Sequence, residues 1–221
     1  MSSYMLAETT ATSTVPKSIG IIISTTRPNR IGPQVADWVK TVLESAKPSL
    51  TKNIKLSMID IRTFNLPSFD EPFNPATVSD FSLFKGAHSR MWNEEIARHD
   101  GYIIVLGEYH GGMPGSLKNA VDYLFHAWTG KTAMVVSYGI FGGKAASDNL
   151  CAILSGAMKM DIIGVRPQLA FPKRDVAANN TSPSLFSAMQ GSLTEEARVS
   201  WEAQAQDIVT GAREMVRKLY N

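Results

Sequence analysis

Three short apolar runs, residues 19–23, 102–106 and 133–136, carry no charged side chain, and each leads into a polar or glycine-rich loop and then an amphipathic stretch. Runs of this length without alternation read as strands buried on both faces, as in a parallel sheet covered by helices on each side. A fourth segment alternates instead: Ile54, Leu56 and Met58 are separated by Lys55 and Ser57, the pattern of an edge strand. Ile162, Ile163 and Val165, just ahead of Pro167, fit the start of a fifth strand or the end of a helix. Helical spacing links Val35, Val39, Val42, Leu43 and Ala46, with Pro33 suited to the first turn. It also links Leu117, Ala120, Val121 and Leu124, and then Leu150, Ile153, Leu154 and Ala157. Phe81, Phe84, Met91 and Trp92 predict a helix ending before Gly101. Trp201, Ala205, Ile208, Ala212, Met215 and Leu219 predict a last one, with Ser192 and Glu195 as its capping box. Strand and helix therefore alternate, and right-handed crossovers place helices on both faces of a parallel sheet: the class is α/β.

The chain of 221 residues suits a single domain, and 44% apolar against 19% charged residues allows a sizeable core. A net charge of +2, scattered without runs, gives no nucleic-acid or membrane-surface footprint. No apolar run is long enough for a membrane span. The single cysteine, Cys151, rules out an internal disulfide and fits a packed thiol in a reducing compartment, so a cytoplasmic location is expected. Residues 1–17, rich in Ser, Thr and Ala, are expected to form a disordered tail rather than a leader, leaving 18–221 as the domain. Residues 64–79 and 171–193, rich in Pro, Asn and Ser, read as insertions or interface loops.

In an open α/β sheet, ligands sit beyond the carboxyl ends of the strands where strand order reverses, between strands one and three in the order 2-1-3-4-5. Three loops are expected to meet there. Residues 24–31 combine hydroxyls with Arg27 and Arg30 at a helix start, suiting a phosphate, or else forming a plain polar connection with capping hydroxyls. Neither G-x-G-x-x-G nor a P-loop is present, which leaves a monophosphate site. Residues 107–115 offer Glu108, Tyr109 and His110 among glycines that permit close approach to a flat ligand. His110 is the first candidate for proton delivery, because imidazole titrates near neutral pH; a solvated or capping histidine is the alternative. Residues 137–143 again pair glycine with aromatic side chains, suiting either a ring slot or a tight strand-to-helix turn.

At these residues the sequence resembles the NAD(P)H-dependent FMN reductases, flavodoxin-like proteins that include quinone and azo-dye reductases. The resemblance covers roughly residues 17–170. The family's first loop, approximately Gly-Ser-x-Arg, is matched at Ser24, Thr26 and Arg27, with Arg30 and Ile31 following, and Ile23 stands where glycine is common. Its second, Pro-Glu-Tyr-Asn followed by Pro-Gly and Leu-Lys-Asn-Ala, is the most specific match. It is carried by Glu108, Tyr109, Pro114, Gly115 and Leu117-Lys118-Asn119-Ala120. Gly107 replaces the usual proline, His110 the usual asparagine, and Gly112 a small hydroxylated residue. Ser-x-Gly-x-x-Gly-Gly is similar to Ser137, Gly139, Gly142 and Gly143, and Leu66-Pro67 with Asp70-Glu71-Pro72 resembles a further family stretch.

The resemblance implies a flavodoxin-like three-layer sandwich around a five-stranded parallel sheet of order 2-1-3-4-5. It also implies an FMN-dependent oxidoreductase that takes hydride from NADPH or NADH and reduces quinones, similar small acceptors or flavin itself. Ser24, Thr26, Arg27, Arg30 and Ile31 would hold FMN phosphate; Glu108, Tyr109, His110 and Gly111 would line the ring, with Ser137, Gly139 and Gly142. A homodimer or tetramer with FMN near the interface is implied, to which Phe125, Trp128 and Tyr138 contribute unless they pack in the core. Two other readings stay open: a dedicated reductase of a specialised pathway, and a non-enzymatic redox-sensing flavoprotein. No metal site is expected.

Overall fold

The computed structural model describes residues 15–46, 54–172 and 182–220. Residues 1–14, most of the expected tail, lie outside the described residues, and strand pairing already begins at Lys17. Strands β1 (Lys17–Ile23), β2 (Ile54–Asp60), β3 (Gly101–Gly107), β4 (Thr132–Gly139) and β5 (Asp161–Ile162) form a parallel sheet of order β2-β1-β3-β4-β5. A short β6 (Gln168–Ala170) also pairs with β4, parallel. The predicted fifth strand is thus split: β5 pairs with the start of β4 and β6 with its end. Pro167 stands between them and has no N–H to give a ladder; its carbonyl accepts from Ser137 N at 3.0 Å.

Alternation along the central strands sorts their side chains into two cores. Ile19, Ile21, Ile103, Val105, Met134 and Val136 face α1 (Gly32–Ser45) and the C-terminal helix. Ile22, Tyr102, Ile104, Leu106, Ala133 and Val135 face the opposite layer, made of α2 (Ala87–Ala97), α3 (Gly115–Asp122) and α4 (Lys144–Gly156). Every residue of β3 is buried, whereas β2 pairs with β1 alone and is only partly buried, as an edge strand should be. Truncating a fully buried isoleucine here costs about 2–5 kcal/mol. Cys151 is a buried free thiol on α4.

Three expectations need correction. The apolar stripe through Phe81 and Phe84 is not helical: α2 starts at Ala87, after a 3-10 turn at Phe81–Leu83, and Met91 on it is exposed. The Ser192–Glu195 capping box is absent. Thr194 caps α6 (Glu195–Ser200) by accepting from Ala197 N, and the helix breaks at buried Trp201 before α7 (Glu202–Tyr220). Residues 171–193, expected to be loop, contain α5 (Pro183–Met189), capped by Ser182. Its position follows from Gln34 on α1, which donates to Gly191 O at 2.8 Å and accepts from Leu193 N at 2.8 Å. Trp201 packs edge-on against Trp38 and Phe171 and donates to Ala170 O at 2.7 Å, fixing the end of β6.

Candidate cofactor and acceptor site

The carboxyl ends of β1, β3 and β4 bring the three loops together. Gly107 N donates to Ser24 Oγ at 3.3 Å, Ser116 Oγ donates to Ser24 O at 3.0 Å, and Glu108 N donates to Tyr138 O at 2.9 Å. Ser24 is fully buried and acts as the joint between the first and second loops. Arg30 turns away from the crevice: its guanidinium pairs with Asp60 at the end of β2, with Nη1 2.7 Å from Oδ1, and also reaches Thr25 O. Its charge is neutralised there, so it shapes the first loop instead of standing free as a second phosphate clamp. Arg27 is exposed and carries the free charge of that loop.

Thr25 emerges as a residue the sequence reading passed over. Counted back from Arg27, the serine of Gly-Ser-x-Arg falls on Thr25 and the glycine on Ser24, one residue later than read above. Thr25 is 1% exposed, and its Oγ1 has no well-formed hydrogen bond. It lies against Gly32 at the start of α1, where any Cβ would collide with it, and beside the Tyr138 hydroxyl. Helix α1 itself has no side-chain cap and no acidic residue in its first turn. Its amino end therefore keeps unsatisfied amides and partial positive charge. A buried orphan hydroxyl next to such a helix end is a cradle for an anionic oxygen, and an FMN phosphate fits this donor set.

The second loop is a tight hairpin. Tyr109 and Gly112 exchange backbone hydrogen bonds of 2.9 and 3.0 Å across His110 and Gly111, whose φ angles are +51° and +74°. Positive φ at both central residues marks a primed turn, for which Asn-Gly is the preferred pair. His110 thus stands at an exposed turn tip and lines neither cavity beside the loop. In the third loop, Ser137 Oγ donates to Gly142 O at 2.7 Å, and Gly142 and Gly143 hold φ of +86° and +77°. Ser137 and Gly142 brace this turn from within, while Gly139 lies so close to Glu108 that a Cβ there would stand 3.1 Å from Glu108 Cβ.

Between the loops opens a slot of about 230 Å³, lined by Arg27, Ile31, Glu108, Tyr109, Tyr138 and Gly139, and closed by Ile140, Phe171 and α5. Burial pushes the Tyr138 hydroxyl up to about 12, against the pull of Thr25 and the two arginines, so at neutral pH it remains a donor. On the other side of the first loop a more polar cavity of about 270 Å³ is framed by Thr26, Arg62, Asn65, Ser116 and Asn119. Of the predicted residues, Ser24, Arg27, Ile31, Glu108, Tyr109 and Gly139 converge on the crevice; Thr26 faces the second cavity. Trp128 and Tyr138 are buried within the chain, so they serve the core and the slot. Phe171, Ile140 and α5 were not anticipated as walls; the only signal for α5 was Ser182-Pro183 ahead of Leu185 and Ala188.

Residues 66–72 hold the second layer in place. Asn119 bridges Pro67 O and Phe69 N, at 2.6 and 2.9 Å. Glu71 accepts from Lys85 and Gly86 N at the start of α2, at 2.9 and 2.7 Å. The Tyr123 hydroxyl donates to Asp70 at 2.8 Å and, against partial desolvation and with help from His88, holds that carboxyl below its usual range.

A parallel sheet of this order, with a phosphate cradle and a ring slot at its switch point, defines a flavodoxin-like flavoprotein. The sequence profile of the NADPH-dependent FMN reductase family matches residues 18–174. The chain belongs to that family, and so is an oxidoreductase that works with FMN and NAD(P)H. It is 37% identical over 203 residues to the NAD(P)H-dependent FMN reductase ntnL of Nectria sp, covering 91% of this chain and 96% of the relative. Similarity extends to a quinone reductase of Escherichia coli, 31% identical over 121 residues, covering 52% of this chain and 58% of that one. Among solved structures, the flavoenzyme NAD(P)H:(acceptor) oxidoreductase FerB of Paracoccus denitrificans shares the fold. Its TM-score is 0.58 at 16% identity, over 91% of this chain and 98% of FerB. No described helix is long and apolar enough to cross a membrane.

Proposed function

We propose that residues 18–221 act as one FMN-binding domain that passes reducing equivalents from NADPH or NADH to a quinone, a similar small acceptor or free flavin. The observation that carries the site assignment is the orphan hydroxyl of Thr25 beside the uncapped end of α1, next to a slot of about 230 Å³. Thr25, Arg27 and the N–H groups of Ile31, Gly32 and Gln34 hold the phosphate, with Ser24 setting their spacing. Glu108, Tyr109, Gly111 and Gly139 border the ring, and Ser137 and Gly142 keep the third loop out of its way. Bound FMN supplies the hydride relay that no side chain of this chain provides. The balance is NAD(P)H, a proton and a quinone giving NAD(P)+ and a hydroquinone. The protein orients the reactants, and the one proton in this balance comes from solvent at the open mouth. Tyr109, Ile140 and Phe141 leave apolar surface at that mouth, which favours a homodimer with the site near its interface. The single thiol favours the cytoplasm.

The test is the visible spectrum of the purified protein, followed by NADPH without oxygen. A bound yellow chromophore that bleaches, and recovers on adding quinone, is the expected result. Folded protein that is colourless and takes up no added FMN overturns the reading.

A further inference from the structure

We propose that α5 is the acceptor wall of this site, and that Leu185 and Met189 select neutral, apolar ring acceptors over charged ones. The inference rests on the slot being the flavin site. Three observations carry it. The loops that hold the cofactor lie inside residues 18–174, the stretch matched by the family profile, whereas α5 lies beyond it. The loops matched by the family profile and the wall formed by α5 therefore come from separate segments of the chain.

The chemistry of the wall is one-sided. The charged groups at the slot, Arg27 and Glu108, sit on the first and second loops, while Leu185, Ala188, Met189 and Phe171 offer only carbon and sulfur. A sulfonate or carboxylate placed against them would lose the hydration of a full charge with no partner on α5, a far larger cost than that of burying the apolar edge of a naphthoquinone-like ring. Met189 is 54% exposed and has an unbranched, adaptable side chain suited to rings that differ in their substituents. Ala188, 5% exposed, keeps the middle of the wall shallow.

The wall is also held in place. Leu185 and Ala188 pack into the core shared with α1 and α7, and Gln34 pins the turn that follows α5 from both sides. A wall fixed in this way discriminates by shape and polarity, because it does not move aside for a misfit.

The experiment compares, on FMN-loaded protein, the kcat/KM ratio for 2-methyl-1,4-naphthoquinone over 1,4-naphthoquinone-2-sulfonate in wild type, Met189→Lys, Leu185→Ala and Phe186→Ala. Calorimetry with the redox-inert 1,4-dimethoxy-2-methylnaphthalene gives binding without turnover. Met189→Lys is expected to lower the ratio at least tenfold and Leu185→Ala about threefold to tenfold. Each weakens the inert analogue to match, with FMN affinity within twofold of wild type. Phe186→Ala, exposed and outside the slot, keeps the wild-type ratio. An unchanged ratio in folded Met189→Lys and Leu185→Ala overturns the assignment of α5 while leaving the flavin reading intact. Loss of FMN affinity at constant ratio also overturns it, by making α5 a cofactor wall. Wild-type protein that binds no FMN overturns both.

Discussion

Thr25 carries a cost in the flavin-free chain, since a buried hydroxyl with no well-formed hydrogen bond, only the Tyr138 hydroxyl beside it, forfeits up to about 1–3 kcal/mol. Thr25→Val removes that cost together with the donor, so its two effects run in opposite directions. The flavin-free variant should melt higher than wild type, while its FMN dissociation constant rises about tenfold, as loss of a hydrogen bond to a charged group predicts. Thermal melts and fluorescence titration read the two effects separately, and a variant that loses stability without losing affinity would make Thr25 a packing residue. His110 is decided by backbone geometry. Asparagine tolerates φ of +51° better than histidine, and a β-branched residue tolerates it poorly. In urea, His110→Asn should match or exceed wild-type stability, and His110→Val should lose about 1–2 kcal/mol. His110→Asn should also keep the wild-type pH profile of turnover, because the imidazole lines neither cavity; a changed profile would assign it the proton. Sequence alone placed Arg27, Glu108 and Tyr109 at the crevice because charge and ring are visible in residue type. It missed the commitment of Arg30 because Asp60, its partner, belongs to another strand, thirty residues on.

Secondary-structure elements differ in how much of their support is local. Helix α1 was readable in full, since its stripe, Pro33 and termination near Ala46 lie within one segment. Helix α2 was not: the turn that leads into it is held by Glu71, some 15 residues upstream, which accepts from Lys85 and Gly86 N and which no local pattern announces. Glu71→Gln should therefore cost about 1–2 kcal/mol, as weakening a buried charge-assisted hydrogen bond does, and hydrogen exchange should rise at residues 85–90 before it rises in the sheet. Acid acts on the same segment. Asp70 is held below the usual carboxylate range mainly by Tyr123, so its contribution is present above that range, near pH 4, and fades as pH falls through the lower folded value. Tyr123→Phe removes the donor, and the variant should show a smaller loss of stability than wild type between pH 4 and pH 2. Parallel acid-titration curves would refute that coupling. Likewise, Gln34→Ala should loosen residues 183–193 selectively, because its two hydrogen bonds tie α5 and its turn to α1.

At the level of the whole molecule, the central strands were legible because they are buried on both faces, whereas their order, which the sheet shows as β2-β1-β3-β4-β5, was implied by the family resemblance and not by composition. The slot was only partly legible: Ile140 and Phe171 were not anticipated as walls, and the rest of the closure arrives on α5, well downstream of the second loop, through packing against α1 and α7. Loading the site should couple these distant parts, since a ligand that binds only the folded chain stabilises it by mass action. At a concentration 100 times its dissociation constant, FMN adds about 2.7 kcal/mol. For a chain of this size that corresponds to a rise in Tm of roughly 5–10 °C. Riboflavin presents the same ring without the phosphate, so it engages the slot but not Thr25 or the end of α1. At the same concentration it should add only about 0.4–1.4 kcal/mol and raise Tm by roughly 1–6 °C, since losing one charge-assisted contact weakens binding by roughly tenfold to a hundredfold. Equal shifts for the two ligands would mean that the ring alone secures the cofactor, and the uncapped helix end would then lose its assigned task.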